Sequence, residues 1–386
     1  MIPYSRQHLF SEDIKKVIKV LKSNFLTQGP QVEKFEKKIA KNCNSKYVVA
    51  LNSATSGLHL TCLALGLKKN DYLWTVPITF IASANCGLYC GSKIDLVDID
   101  NQTFNIDVYK LEKKLIHAKK YNKLPKILVP VHFGGNPCDL EKISYLSKKY
   151  KFKIVEDASH AFGSKYKNSL IGDCKYSDAT IFSFHPVKPI TSGEGGAVTC
   201  KDPELYKKIK ILREHGIVKD KRQFKKKKNV QPWYYEQQQL GFNYRISDIN
   251  AALGASQIDH INSFLKKRDQ ISKVYKKKII NCCVEFQKCE KDSYSTNHLF
   301  IIKVNKNIHK ALFNNLRKKK IYVQLHYIPI YRQPYYKKIF NFNLKNFKNS
   351  EDYYSRAISI PIYFSLTLNK QLKIIKLINS FLKKNK

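Results

Sequence analysis

The sequence predicts an α/β protein: a mostly parallel central sheet followed by a smaller C-terminal α+β domain. Three observations carry this. Short apolar runs alternate with helical segments through the first two-thirds of the chain. Such runs read as strands buried on both faces, which a parallel sheet covered by helices requires. After Gly241-Phe242-Asn243-Tyr244-Arg245 the alternation stops and a long helical pattern begins. A chain of 386 residues also exceeds one ordinary core. Two domains are therefore expected, 1–250 with an N-terminal arm (1–12), and 251–386.

The elements follow in order. Tyr47-Val48-Val49-Ala50-Leu51 is a buried strand, 52–56 a turn and 57–65 a helix. Residues 72–77 read as a strand and 81–89 as a helix. Further strands fall at 94–99, 127–131, 153–155, 180–184 and 197–200, with an amphipathic helix at 140–150. The second domain opens on one helix over 248–274. Strands at 299–304 and 323–325 and helices at 309–318 and 372–382 complete it.

Composition limits the function. Hydrophobic residues make up 43% of the chain, ample for a packed core. No run approaches the about 20 apolar residues of a membrane span. Met1-Ile2-Pro3-Tyr4-Ser5 lacks the basic and apolar regions of a signal peptide. The cysteines, including adjacent Cys282-Cys283 and nearby Cys289, show no paired metal spacing. They read as reduced thiols of a cytoplasmic protein. The net charge of +40 comes from lysines spread along nearly the whole chain, beside many Asn, Ile, Tyr and Phe. That is a compositional bias rather than a nucleic-acid stripe, so no nucleic acid is expected as partner. The densest run, 225–228, reads as a solvated loop. A basic surface would help draw in an anionic substrate.

Four features fall at the carboxyl ends of predicted strands, where sheets of this kind bind ligands. The turn Asn52-Ser53-Ala54-Thr55-Ser56-Gly57 opens a helix, and its free N–H groups suit a phosphate, although an ordinary N-cap looks the same. Phe80 follows a strand and would stack on a planar ring or pack a helix. Asp157 ends a strand; it would hold a proton on a ring nitrogen, cap a helix, or bind metal with His160. No second cluster completes a metal site. His132 is a polar strand-end residue. Lys188 lies in Phe182-Ser183-Phe184-His185-Pro186-Val187-Lys188, ahead of the Gly-rich stretch Gly193-Glu194-Gly195-Gly196. A lysine held in a pocket with a lowered pKa can bond a carbonyl. Together these are the handles of pyridoxal 5′-phosphate.

The segments 52–59, 77–100 (PITFIASANCGLYCGSKIDLVDID), 156–163 (EDASHAFG), 182–196, 213–217 (REHGI) and 241–253 (GFNYRISDINAAL) carry a resemblance. In this order the chain resembles the DegT/DnrJ/StrS sugar aminotransferases. The resemblance implies a fold type I pyridoxal-phosphate-dependent transferase, a homodimer. It implies that Lys188 bonds the cofactor aldehyde and shuttles a proton, Asp157 binds the pyridine nitrogen and Phe80 stacks on the ring. Ala54, Thr55 and Ser183 would hold the phosphate, and Asn243 would reach the phosphate of the neighbouring subunit's cofactor. His160 stands where many relatives have glutamine near the ring hydroxyl. His185 and His326 would line the sugar site. The implied activity moves an amino group from L-glutamate to C4 of a UDP-linked 4-keto-6-deoxy-N-acetylamino sugar, as in pseudaminic acid (nonulosonate) biosynthesis. Perosamine-type or 4-amino-arabinose-type keto-sugars are the alternative, and a non-catalytic relative is another. Some relatives are dehydratases with histidine in place of the lysine; here Lys188 is intact. Asn70-Asp71-Tyr72 and Ser192 depart mildly from the family pattern.

Overall fold

The computed structural model describes residues 1–225 and 230–385. Positions 226–228 of the predicted basic loop lie outside the described residues. Helices α1 (Ser11–Leu21) and α2 (Pro30–Cys43) lead into the sheet. Its first strands are β1 (Tyr47–Leu51), β2 (Tyr72–Thr75), β3 (Lys93–Leu96), β4 (Ile127–Leu128) and β5 (Lys153–Asp157). The connections hold α3 (Ala54–Ala64), α4 (Ala82–Tyr89), α5 (Val108–Lys120) and α6 (Leu140–Tyr150). A hairpin, β6 (Lys165–Tyr166) and β7 (Ser169–Leu170), precedes β8 (Ala179–Ser183) and β9 (Gly196–Cys200), and α7 (Pro203–Arg213) follows.

The seven-stranded order is β1-β9-β8-β5-β4-β2-β3. Four neighbouring pairs are parallel. The exception is β9, antiparallel to both β1 and β8. The cause is the link from β8 to β9. It is the loop 184–195, without a crossover helix, so the chain re-enters the sheet in the reverse direction. Both sheet faces are covered, and Val49, Leu51, Val155, Ile181 and Val198 are fully buried. The predicted fold type I architecture is therefore present.

The predicted helix 248–274 is two helices, α8 (Asp248–Asp259) and α9 (Ile261–Lys278). Small residues explain the position of α8. Ala251, Ala252, Gly254 and Ala255 let it lie close against α1 and α2, and a Cβ at Gly254 would sit 2.6 Å from the Phe35 ring. Strands β10 (Ile217–Val218) and β11 (Glu236–Gln237) pair upstream of it. The C-terminal region builds an antiparallel sheet from β12 (Glu285–Phe286), β14 (Phe300–Lys303) and β15 (Ala357–Ile360), while β13 (Ser293–Tyr294) extends the β6–β7 hairpin. The predicted strand 323–325 makes only one bridge, Gln324 to Ser359. Helices α10 (Lys306–Lys318), α11 (Pro334–Ile339), α12 (Lys348–Arg356) and α13 (Leu368–Lys384) complete the fold. We propose drawing the domain division within α9 rather than at residue 250. Ile261, Phe264 and Leu265 pack with the large sheet, whereas Ile271 and Tyr275 join the core of the small one. No described helix is long and apolar enough to cross a membrane.

Candidate active site

The carboxyl ends of β2, β5 and β8 open on a cavity of about 390 Å³. It is lined by Ala54, Thr55, Phe80, Asp157, His160, Ser183, His185, Lys188 and His326. The structure thus brings together nine of the ten predicted site residues, although they come from five separate stretches of chain. The tenth, Asn243, stays on the surface, where its backbone bridges to Glu214.

Each side chain has a local reason for its position. Ser53 caps α3: its Oγ accepts from Ser56 N at 3.1 Å, and Ser56 Oγ donates to Asn52 Oδ1 at 2.6 Å. Those two hydroxyls serve the turn itself. The amides of Ala54 and Thr55, in the first turn of α3, have no intrahelical acceptor and are left for an anion. The turn can sit beside β9 only because residue 196 is glycine. A Cβ there would lie 2.4 Å from Ser53 C and Ala54 N.

Asp157 ends β5 under a chain of hydroxyls. Ser83 Oγ donates to its Oδ2 at 2.6 Å, and Thr79 Oγ1 lies 2.8 Å from Ser83 Oγ. Since the serine proton is committed to the carboxylate, Thr79 must be the donor to Ser83. Asp157 Oδ1 accepts from Ser159 N at 3.0 Å. One edge of the carboxylate is thus fixed by α4. Behind it, His132 Nδ1 accepts from Cys138 N at 3.0 Å, so Nε2 carries the proton and donates to Glu156 Oε2 at 2.7 Å. His132 is the predicted polar strand-end residue.

Lys188 follows a tight turn in which its own N–H donates to His185 O at 2.9 Å. Burial lowers its pKa from 10.5 to about 8, against the opposing pull of the Asp157 charge. About one-fifth of the amine is therefore neutral at about pH 7.4, far more than for an ordinary lysine. His160 is held from both sides. Its Nδ1 accepts from Gly134 N at 3.2 Å, which leaves Nε2 to donate to the Tyr327 hydroxyl at 3.2 Å. Burial, then Lys188 and His326, hold His160 well below the ordinary histidine range. Burial and then Lys188 push His326 down to about 3. Both rings are neutral and add no cation beside the amine. His185 is partly exposed, with Nε2 3.9 Å from Glu194 Oε1. Phe80 is 55% exposed and lines the cavity, its ring centroid 6.0 Å from that of Tyr327.

These donors fit pyridoxal 5′-phosphate. Unpartnered helix amides suit the phosphate, the anchored carboxylate of Asp157 suits a protonated ring nitrogen, the Phe80 face suits a flat ring, and the part-neutral Lys188 amine suits an aldehyde. Sequence reasoning missed Tyr4, Ser83 and Tyr327. Ser83 is one small residue in a helix, and only its contact with a carboxylate distinguishes it. Tyr4 and Tyr327 reach the cavity from the N-terminal arm and the second domain.

Comparison with known proteins agrees with the geometry. The model of the DegT/DnrJ/EryC1/StrS aminotransferase family matches residues 7–379. A UDP-4-amino-4,6-dideoxy-N-acetyl-beta-L-altrosamine transaminase of Campylobacter jejuni is 40% identical over 380 residues, covering 97% of this chain and 96% of that protein. The solved structure of Helicobacter pylori PseC, an aminotransferase of pseudaminic acid biosynthesis, superposes with a TM-score of 0.90 at 32% identity, covering 99% of both chains. The pyridoxal-phosphate form of a sugar aminotransferase from Streptococcus pneumoniae superposes with a TM-score of 0.89 at 26% identity, covering 99% of both. The chain therefore belongs to the DegT/DnrJ/EryC1/StrS family and is a pyridoxal-phosphate-dependent nucleotide-sugar aminotransferase.

Proposed function

We propose that the enzyme transfers the amino group of L-glutamate to the C4 ketone of a UDP-linked 4-keto-6-deoxy-N-acetylamino sugar, the chemistry of pseudaminic acid biosynthesis, in the cytoplasm. The observation that carries the reading is the Lys188 amine, lowered to about 8, in one cavity with the Asp157 carboxylate. Altrosamine transaminases at 34–40% identity support the choice of sugar.

The cofactor, when bound, supplies the electron sink for cleavage of the donor's α C–H bond and stores the amino group between the two substrates. The amides of Ala54 and Thr55, with Ser183, would hold its phosphate, Phe80 would stack on its ring, and Asp157 would keep its ring nitrogen protonated. Lys188 takes the α proton from the donor and returns a proton to C4 of the acceptor, which makes it both base and acid. His160 holds the Tyr327 hydroxyl at the cavity wall, and His185 and His326 face the sugar. The test is mass spectrometry of products from glutamate with a panel of nucleotide keto-sugars. Conversion of a GDP-linked substrate and not the UDP-linked one would overturn the assignment.

The exposed position of Asn243 supports a homodimer in which it completes the partner's phosphate site. Mixing Lys188→Ala with Asn243→Ala subunits checks this. Trans action places one intact site in each mixed dimer, so random pairing restores about one quarter of wild-type activity. Cis action restores none.

A further inference from the structure

We infer that Ser359 and Tyr353 are positioning residues for the acceptor half of the reaction: together they lock the His326 ring so that its Nε2 carries the proton and offers one uncharged N–H to the sugar. The inference deepens the acceptor reading above and rests on it. Of these three side chains only His326 belongs to the cavity wall. The other two act through it.

The loop that carries His326 is held at three points by the small domain. Gln324 pairs with Ser359 of β15 through the backbone: Ser359 N donates to Gln324 O at 2.7 Å, and Gln324 N donates to Ser359 O at 3.1 Å. Tyr353, fully buried in α12, donates from its hydroxyl to His326 O at 2.5 Å. Ser359 Oγ lies 2.9 Å from His326 Nδ1. Helix α12 is itself tied to the large domain. The buried carboxylate of Asp98 accepts from Ser350 N at 3.0 Å and from Ser350 Oγ at 2.6 Å, in the first turn of that helix. The Tyr353 ring packs edge-on against Phe104 and Phe133, with centroids 4.9 Å and 5.8 Å away. His326 thus takes its place from both domains.

A neutral imidazole has one N–H, and its partners decide which nitrogen bears it. Burial, then Lys188, keeps His326 neutral. Ser359 is 2% exposed, and the acceptor its hydroxyl meets among the described residues is His326 Nδ1. Were Nδ1 protonated, it would donate to the serine and leave the hydroxyl proton buried without an acceptor. The serine therefore donates, Nδ1 accepts, and the ring proton sits on Nε2, the nitrogen left for the cavity. Hydroxyl and amide oxygens of a sugar accept from such a donor. The carboxylates of glutamate are held better by a cation. The uncharged N–H accordingly serves the sugar rather than the amino donor.

Two readouts test this. Nitrogen-15 spectra of histidine-labelled enzyme at neutral pH should show the ring that disappears in His326→Gln with its proton on Nε2. A proton on Nδ1 overturns the inference. The half-reactions are followed by the cofactor's visible absorbance, which glutamate bleaches and keto-sugar restores. Tyr353→Phe and Ser359→Ala should each weaken apparent affinity for the UDP-keto-sugar about fivefold, the scale of one hydrogen bond, and change the glutamate half by less than about twofold. In a His326→Ala background neither should cost more than about twofold further, because the group they position is gone. The full loss repeated in that background would mean that they only support the fold, and unchanged sugar affinity in both single variants would mean that His326 needs no holding. Either result overturns the inference. Should Ser359→Ala fail to fold, Tyr353→Phe keeps its ring and packing and carries the test by itself. A wild type that completes the glutamate half but never regains its band with the keto-sugar removes the acceptor reading, and this inference with it.

Discussion

Replacing Lys188 with alanine is expected to leave a folded protein whose turnover falls by at least about 10⁴-fold. In the proposed mechanism one nitrogen would serve as the bond to the cofactor aldehyde, the base and the acid, and general acid–base catalysis alone contributes about 10²–10⁴. The visible band of the purified protein should vanish, while the circular dichroism of the fold persists. Wild-type-like turnover in this variant would refute the assignment of Lys188.

The lowered pKa of Lys188 gives the same prediction a pH dependence. Only the neutral amine bonds an aldehyde. Capture of cofactor by the apoprotein should therefore accelerate as pH rises toward about 8 and level off above it. Stability follows the opposite bookkeeping of protons. The folded state holds the lysine proton less tightly than the unfolded chain does, whose lysine titrates near 10.5. Between those values the unfolded chain binds more protons, so apoprotein stability rises with pH across that window. Below about 8 the full penalty applies, up to ~3 kcal/mol. Lys188→Met should melt above the wild-type apoprotein at neutral pH, and the gap should close toward pH 10.5. A constant gap would show that burial does not perturb this amine.

The second large effect belongs to Asp157. Asparagine there keeps the shape and can still accept from Ser83, but it cannot hold a proton on the pyridine nitrogen by charge. Turnover should fall by about 10²–10³, the usual scale for one preorganised electrostatic group. A linked readout separates this from misfolding. The Asp157 charge raises the Lys188 pKa against desolvation, so its removal should move the pH profile of cofactor capture to lower pH. Full activity in Asp157→Asn, or an unmoved profile, would break the link between the two groups.

Much of the site was legible because its residues follow strands. Asp157 and Ser183 end strands, Phe80 follows β2 and the phosphate turn follows β1, and apolar runs reveal strands wherever both faces are buried. Lys188 itself was marked by its company rather than its type, since lysine is abundant in this chain. The supporting contacts were not legible. Ser83, Tyr327 and Tyr4 carry no periodicity; Ser83 meets Asp157, and Tyr327 and Tyr4 meet the cavity, only after separate segments pack together. The break at His260 was hidden for a similar reason: a continuous helical pattern does not show that small residues seat its first half against α1 and α2.

By itself the sequence determined the seven strands of the large sheet in chain order, the candidate acid and lysine, and the family, since each is written in local apolar runs and short motifs. Only the tertiary structure decided the antiparallel β9, the hydroxyl chain onto Asp157, the neutral state of His160 and His326, and the arrival of the N-terminal arm at the cavity. Those depend on burial and on distances between residues far apart in the chain, which no local pattern encodes.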